Sequence, residues 1–159
     1  MKRSVVSSPS SVVRNSWGNL VGESPVEKSN FENLKVYQIS ENLADEIWQI
    51  VLRWDRFARD TVGSQIVRAA DSIGANIAEG SGRGSFQDNR RFIKIARGSL
   101  KETQHFLRRA YKRKLLDNTQ VNKIRPLVDK LAPMLNAYLN SIGRVSTKWN
   151  IREPRTTDH

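Results

Sequence analysis

The chain has 159 residues, 38% of them hydrophobic, with 27 Lys and Arg against 16 Asp and Glu, for a formal charge of +11. That is enough for one domain with a real core plus tails. Cysteine is absent, which excludes disulfides and thiolate metal sites. No apolar run approaches the 18 or more residues that cross a bilayer. The beginning, Met1-Lys2-Arg3-Ser4-Val5-Val6, lacks a sustained apolar stretch and makes a poor secretory signal, so a cytoplasmic location is expected.

Residues 1–33 are rich in Ser, Asn and Gly, contain Pro9 and Pro25, and show no apolar period. They read as a disordered arm, with Trp17 and the pair Val12-Val13 as docking points if it orders. The first helix is expected from about Leu34 to Phe57. Val36, Ile39, Leu43, Ile47, Ile50, Val51 and Trp54 mark its core face at helical spacing. Tyr37 and Trp48 sit off to one side, which fits either a subunit interface or packing at the edge of the core.

The second helix is expected from about Ser64 to Glu79, with Ile66, Ala69, Ala70, Ile73 and Ile77 inward. Gly80-Ser81-Gly82-Arg83-Gly84 should then break it. This loop lacks the preceding strand and the Gly-Lys-Ser/Thr ending of a P-loop, so it reads as a helix–helix turn. It opens a helix with free N–H groups, and a backbone phosphate beside Arg83 is compatible with it.

Ser85 is a good N-cap for the third helix, with Asp88 three residues on. This helix runs to about Lys114 and carries the densest charge in the chain. Between Arg83 and Lys114 lie eleven Lys and Arg but only two acids, Asp88 and Glu102. At about 100° per residue, Arg90, Lys94, Arg97, Lys101, Arg108 and Lys112 form one stripe about 60° wide. Phe92, Ile95, Ala96, Ser99, Phe106, Leu107 and Ala110 lie opposite. Solvated helix faces usually mix signs, because opposite charges at i,i+4 support the helix and like charges weaken it. Here Arg90–Lys94, Arg97–Lys101, Arg108–Lys112 and Arg109–Arg113 are like pairs. A polyanion or acidic-protein ligand would favour them, whereas a plain solubility role would not need them. The nucleic-acid-binding candidates are Arg83, Arg90, Arg91, Lys94, Arg97, Lys101, Arg108, Arg109, Lys112 and Arg113.

Gly98 interrupts this helix on the side near the stripe, which fits close approach of another backbone or tolerance within a long helix. A fourth helix begins near Asp117 or Asn118. Val121, Ile124, Val128, Leu131, Leu135, Tyr138 and Ile142 are its inward positions, and Gly143 its stop. Pro126 and Pro133, seven apart, both fall on the polar face, so one bent helix is expected rather than three pieces. Residues 144–159 form a basic C-terminal tail in which Trp149 could stack on a base.

Four amphipathic helices with short connections predict an all-α, antiparallel up-down four-helix bundle over residues 34–143. Catalysis finds little support. Carboxylate-bridged metal sites need a Glu-x-x-His motif on each of two facing helices, which this sequence does not supply, and His105 lies at the edge of the basic stripe with no nucleophile to serve. No catalytic residue, metal or cofactor is expected.

Leu34-Lys35-Val36-Tyr37-Gln38, then Gln65 to Ile73 with Asn76-Ile77-Ala78-Glu79-Gly80, then Phe92 to Glu102 with Ala96-Arg97-Gly98-Ser99-Leu100-Lys101-Glu102, together resemble a bacterial four-helix-bundle family. It is named for proteins encoded in 23S rRNA intervening sequences, and its superfamily includes the accessory variability determinants of diversity-generating retroelements. The resemblance spans roughly residues 34–143. It implies a ring-shaped, pentameric homo-oligomer. For the accessory branch it implies a non-catalytic subunit that binds a reverse transcriptase and its template RNA or cDNA through a basic surface. The strongly basic stretch from Glu102 to Lys114 points to that branch. The alternative is an oligomeric intervening-sequence-type scaffold whose basic face docks an acidic protein. Neither RNA nor DNA is distinguished by phosphate contacts.

Overall fold

A computed structural model describes residues 31–144. Trp17, Val12-Val13, Trp149 and nearly all of the expected arm and tail lie outside the described residues. Four long helices account for most of what is described: α1 Lys35–Val51, α2 Ser64–Ser81, α3 Phe86–Lys112 and α4 Asn118–Ser141. No strand occurs among the described residues.

Each helix follows its neighbour in the opposite direction. Gly74, midway along α2, faces Ser40 and Tyr37 near the start of α1, whereas Gly63 just before α2 faces Val51 at the end of α1. Ser72 on α2 bonds Ser99 on α3 through their hydroxyls at 3.0 Å. Gly80, later on α2, meets Asn89 and Phe92, earlier on α3. Arg90 near the start of α3 reaches the last turn of α4. Helix α1 also packs on α4, so the four helices close around one core.

That core is the set of apolar positions spaced for it. Leu43, Ile47, Ile66, Ile73, Ile77, Ile93, Leu131 and Leu135 are each at most 1% exposed. Burial of a side chain of this size contributes about 1.5–3 kcal/mol, so they dominate the stability of the bundle. The buried hydroxyls of Ser40 and Thr103 return to their own helices, bonding Tyr37 O at 2.6 Å and Ser99 O at 2.8 Å. They therefore enter the core without an unmet donor.

Helix α1 stops at Val51, six residues before its expected end at Phe57. Asp55 is responsible: its carboxylate accepts from Ala58 N at 3.0 Å and caps a new helical segment, Arg56–Ala58. A residue that caps must leave helical geometry, and here that preference overrides the apolar spacing. Trp54 still reaches the core, but from the turn. The segment runs through a π-helical turn, Arg59–Gly63, into α2. A Cβ on Gly63 would lie 2.7 Å from Val51 Cγ1, so the corner closes only around glycine.

The expected break at Gly80 is displaced by two residues. Gly80 and Ser81 stay helical, and Gly80 is buried against Asn89 and Phe92 of α3. Ser85 caps α3 as expected, accepting from Asp88 N at 3.1 Å and donating to the Asp88 carboxylate at 2.8 Å. Helix α4 opens on a full capping box between Asp117 and Gln120. It passes unbroken through exposed Pro126 and Pro133, and Gly143 ends it at φ +80°. On the polar face the carbonyls freed by each proline can be met by water.

Candidate nucleic-acid interface

Helix α3 buries Ile93, Ala96, Ser99, Leu100, Thr103 and Ala110. The expected face is thus displaced by about 40°. Ile95, expected inward, is 43% exposed, while Phe92, Phe106 and Leu107 are half-buried. Ile93, Leu100 and Thr103 take the core positions instead, because α3 is covered by α2 on one flank and α4 on the other. The solvent face turns with it. Its centre now lies near Lys94, Lys112, Arg91 and Arg109, and Arg90, Arg97 and Arg108 move toward the α4 border.

That rotation divides the ten basic candidates. All but Arg90 are exposed, and eight of them, Arg91, Lys94, Arg97, Lys101, Arg108, Arg109, Lys112 and Arg113, lie on the open face of α3. None of the eight is in an ion pair with a described residue. The three pairs among the described residues are Arg56–Asp60, Arg83–Glu79 and Arg125–Asp129. From Lys94 to Lys112 the unpaired cations extend about 27 Å along the helix.

Arg83 and Arg90 are engaged within the fold. Arg83 pairs with Glu79 four residues earlier, and its guanidinium lies 4.8 Å from the centre of the Phe92 ring. Arg90 is half-buried and donates to Leu139 O at 2.8 Å and Ile142 O at 3.4 Å. Those carbonyls end α4, where the helix dipole is negative. Arg90 is therefore a cap for a neighbouring helix. Its position on the wheel gave no sign of this, since the partner comes from about fifty residues away.

Gly98 has open space where a Cβ would be, so no part of the protomer requires glycine there. His105 is exposed, with its ring edge-on to Phe106 at 5.2 Å. The loop at Gly82–Ser85 is the helix–helix turn that the sequence suggested.

Tyr37 and Trp48 occupy the other side of the molecule. Tyr37 is half-buried, packs edge-on to Phe31 at 4.9 Å, and lies beside Gly74 of α2. This is packing at the edge of the core. Trp48 is 50% exposed, and Leu52, four residues on, is 47% exposed. Between α1 and α2 lies a shallow groove of about 220 Å³ bordered by Tyr37, Glu41, Asp45 and Asp71. Burial raises the Asp71 carboxyl above its ordinary range, and the nearby Asp45 charge adds to it. Tyr37 is pushed up to about 12, first by burial, then by its hydrogen bond to Glu41 and the charges of Glu41 and Glu32. The bundle thus separates its charges, basic on α3 and acidic between α1 and α2. Sequence reasoning missed the acidic groove, because Asp71 joins Glu41 and Asp45 only when the helices pack.

Among the described residues no cluster of His, Asp or Glu is arranged to hold a metal ion, and no helix is long and apolar enough to cross a membrane.

The fold and surface define a small helical-bundle protein with one strongly basic helix face. The chain belongs to the 23S rRNA-intervening sequence protein family, whose model matches residues 32–137. A similar solved structure is a protein of unknown function from the S23 ribosomal protein family of Bacteroides thetaiotaomicron VPI-5482. It is 22% identical, with a TM-score of 0.59, over 67% of this chain and 99% of that one. At that identity the likeness shows the fold alone. No curated protein matches the chain in sequence.

Proposed function

We propose that this protein is a non-catalytic nucleic-acid-binding subunit that works through the exposed face of α3. The observation that carries this reading is the row of eight exposed cations without a carboxylate partner among the described residues. Like charges in such a row repel one another, and a phosphate backbone relieves that repulsion while releasing counterions. Lys and Arg contacts to phosphate position a ligand without reading its sequence, so RNA and DNA are both ligands by this chemistry.

In its finer form, the protein is the accessory subunit of a diversity-generating retroelement. It acts in the cytoplasm as a ring-shaped homopentamer that binds template RNA or cDNA and the reverse transcriptase. This part rests on the resemblance of the sequence and on the unusual basicity from Glu102 to Lys114. The exposed apolar pair Trp48 and Leu52 offers the contact between copies, with Tyr37 about three turns earlier on the same helix.

The test is binding of nuclease-treated protein to a structured RNA and a matched DNA across a salt series. Tight binding that weakens steeply with salt supports the reading, and copurification with a reverse transcriptase supports its finer form. Weak binding even at low salt overturns it and leaves the oligomeric scaffold that docks an acidic protein.

A further inference from the structure

The basic face runs at one end into an apolar groove. Between the last turns of α3 and the first half of α4 lies an open depression of about 580 Å³. Leu107, Tyr111, Val121 and Ile124 form its apolar side. Arg108, Lys112 and Arg125 line it with positive charge. Tyr111 is 53% exposed, the largest open apolar surface of the depression. Asp129 also borders the groove, 3.9 Å from Arg125. Arg108 and Lys112 belong to both the groove and the basic stripe.

We infer that this groove receives an unpaired base of a single-stranded nucleic acid whose backbone lies along α3. The inference rests on the nucleic-acid reading above and adds the class of strand. A duplex keeps its bases stacked inside and can use the cations but not the groove. A single strand can use both, because each base offers a flat apolar face to an aromatic ring. The phosphates flanking the inserted base fall to Arg108 and Lys112. Asp129 repels phosphate and can accept from an N–H on a base edge, so it belongs at the base end of the site.

The shape of the surface favours a strand over an acidic helical peptide. An amphipathic peptide helix needs a long apolar trough for its i, i+3, i+4 and i+7 side chains. Here the groove reaches no further back along α3 than Gln104, whereas exposed cations continue to Lys94 and Arg91. A repeating anion with one inserted planar group matches that outline.

The test uses the full chain and three labelled probes at one salt concentration: oligo-dT, an abasic strand of the same length, and a duplex. Anisotropy should give oligo-dT about tenfold tighter binding than the abasic strand, since stacking is the difference between them. Tyr111→Ala should remove that preference without weakening abasic binding, and Tyr111→Phe should keep it. Equal binding of oligo-dT and the abasic strand, or a preference that survives Tyr111→Ala, overturns the groove while leaving the basic face in place. Failure of all three probes, with polyglutamate bound instead, overturns both readings in favour of an acidic protein ligand.

Discussion

Arg90 on α3 donates to the carbonyl oxygen of Leu139 at 2.8 Å, tying the start of one helix to the end of another. The guanidinium satisfies a terminal carbonyl and opposes the negative end of the α4 dipole. Arg90→Ala should therefore destabilise the fold by about 1–2 kcal/mol. Lys101→Ala, on the open face, should stay within about 0.5 kcal/mol. Urea denaturation of the two variants gives the comparison, and equal midpoints would remove the capping role.

The open part of the stripe is expected to act on ligand and not on stability. Reversing Lys94, Arg97, Lys101 and Arg108 to Glu should abolish tight RNA binding with helicity retained. Neutralising the same four to Gln should lower the salt slope of log K by about 3, or roughly 0.7–0.9 for each phosphate left without its cation. An unchanged slope would mean that the cations do not touch phosphate.

Two glycines should respond in opposite directions. A Cβ on Gly80 would lie 2.8 Å from Asn89 Oδ1 and 2.9 Å from Phe92 Cβ. Gly80→Ala should cost about 1–3 kcal/mol by forcing α2 and α3 apart. A methyl group on Gly98 would meet nothing within 4 Å, so Gly98→Ala should gain about 0.8–1 kcal/mol of helix propensity. If Gly98→Ala also weakens nucleic-acid binding, the glycine serves a close approach by the ligand.

Asp71 makes acid-side stability depend on pH. Its carboxyl is raised above 3.8 by burial and then by Asp45. The folded state therefore holds this proton at a pH where the unfolded chain has released it. The stability this contributes is full below the ordinary value and is lost as pH rises through the raised one. Asp71→Asn should stabilise the protein near neutral pH by on the order of 0.5 kcal/mol, a small gain because the carboxyl remains open to water. At about pH 3 the gain should vanish. A gain that persists in acid would point to packing instead of charge.

Tyr37 sets the alkaline limb. Its hydroxyl is pushed up from 10.0 to about 12, with burial ahead of Glu41 and Glu32. Stability from this group is complete below 10.0 and is lost as pH rises through about 12. Tyrosinate absorbance should show a phenol step at about pH 12, and Tyr37→Phe should remove it. Persistence of the step in the variant would overturn its assignment to Tyr37.

The four helices, the cap at Ser85, the stop at Gly143 and the apolar faces of α1, α2 and α4 were all legible in the residues themselves. These follow from interactions within a turn or two: spacing at 3.6 residues, a side-chain oxygen on a nearby N–H, a glycine that accepts positive φ. The basic character of α3 was equally legible, since charge along a helix needs no partner to be read. How α3 is turned was not, because that depends on packing. The α2 and α4 flanks select Ile93 and Leu100 for the core and leave Ile95 outside. From that one rotation it follows that Arg90 becomes a cap, Lys94 and Lys112 face solvent, and Arg108 borders a groove. A helix wheel gives the angles between side chains but not the direction of the neighbours that bury them. Those neighbours come from distant sequence, and their packing chose the face.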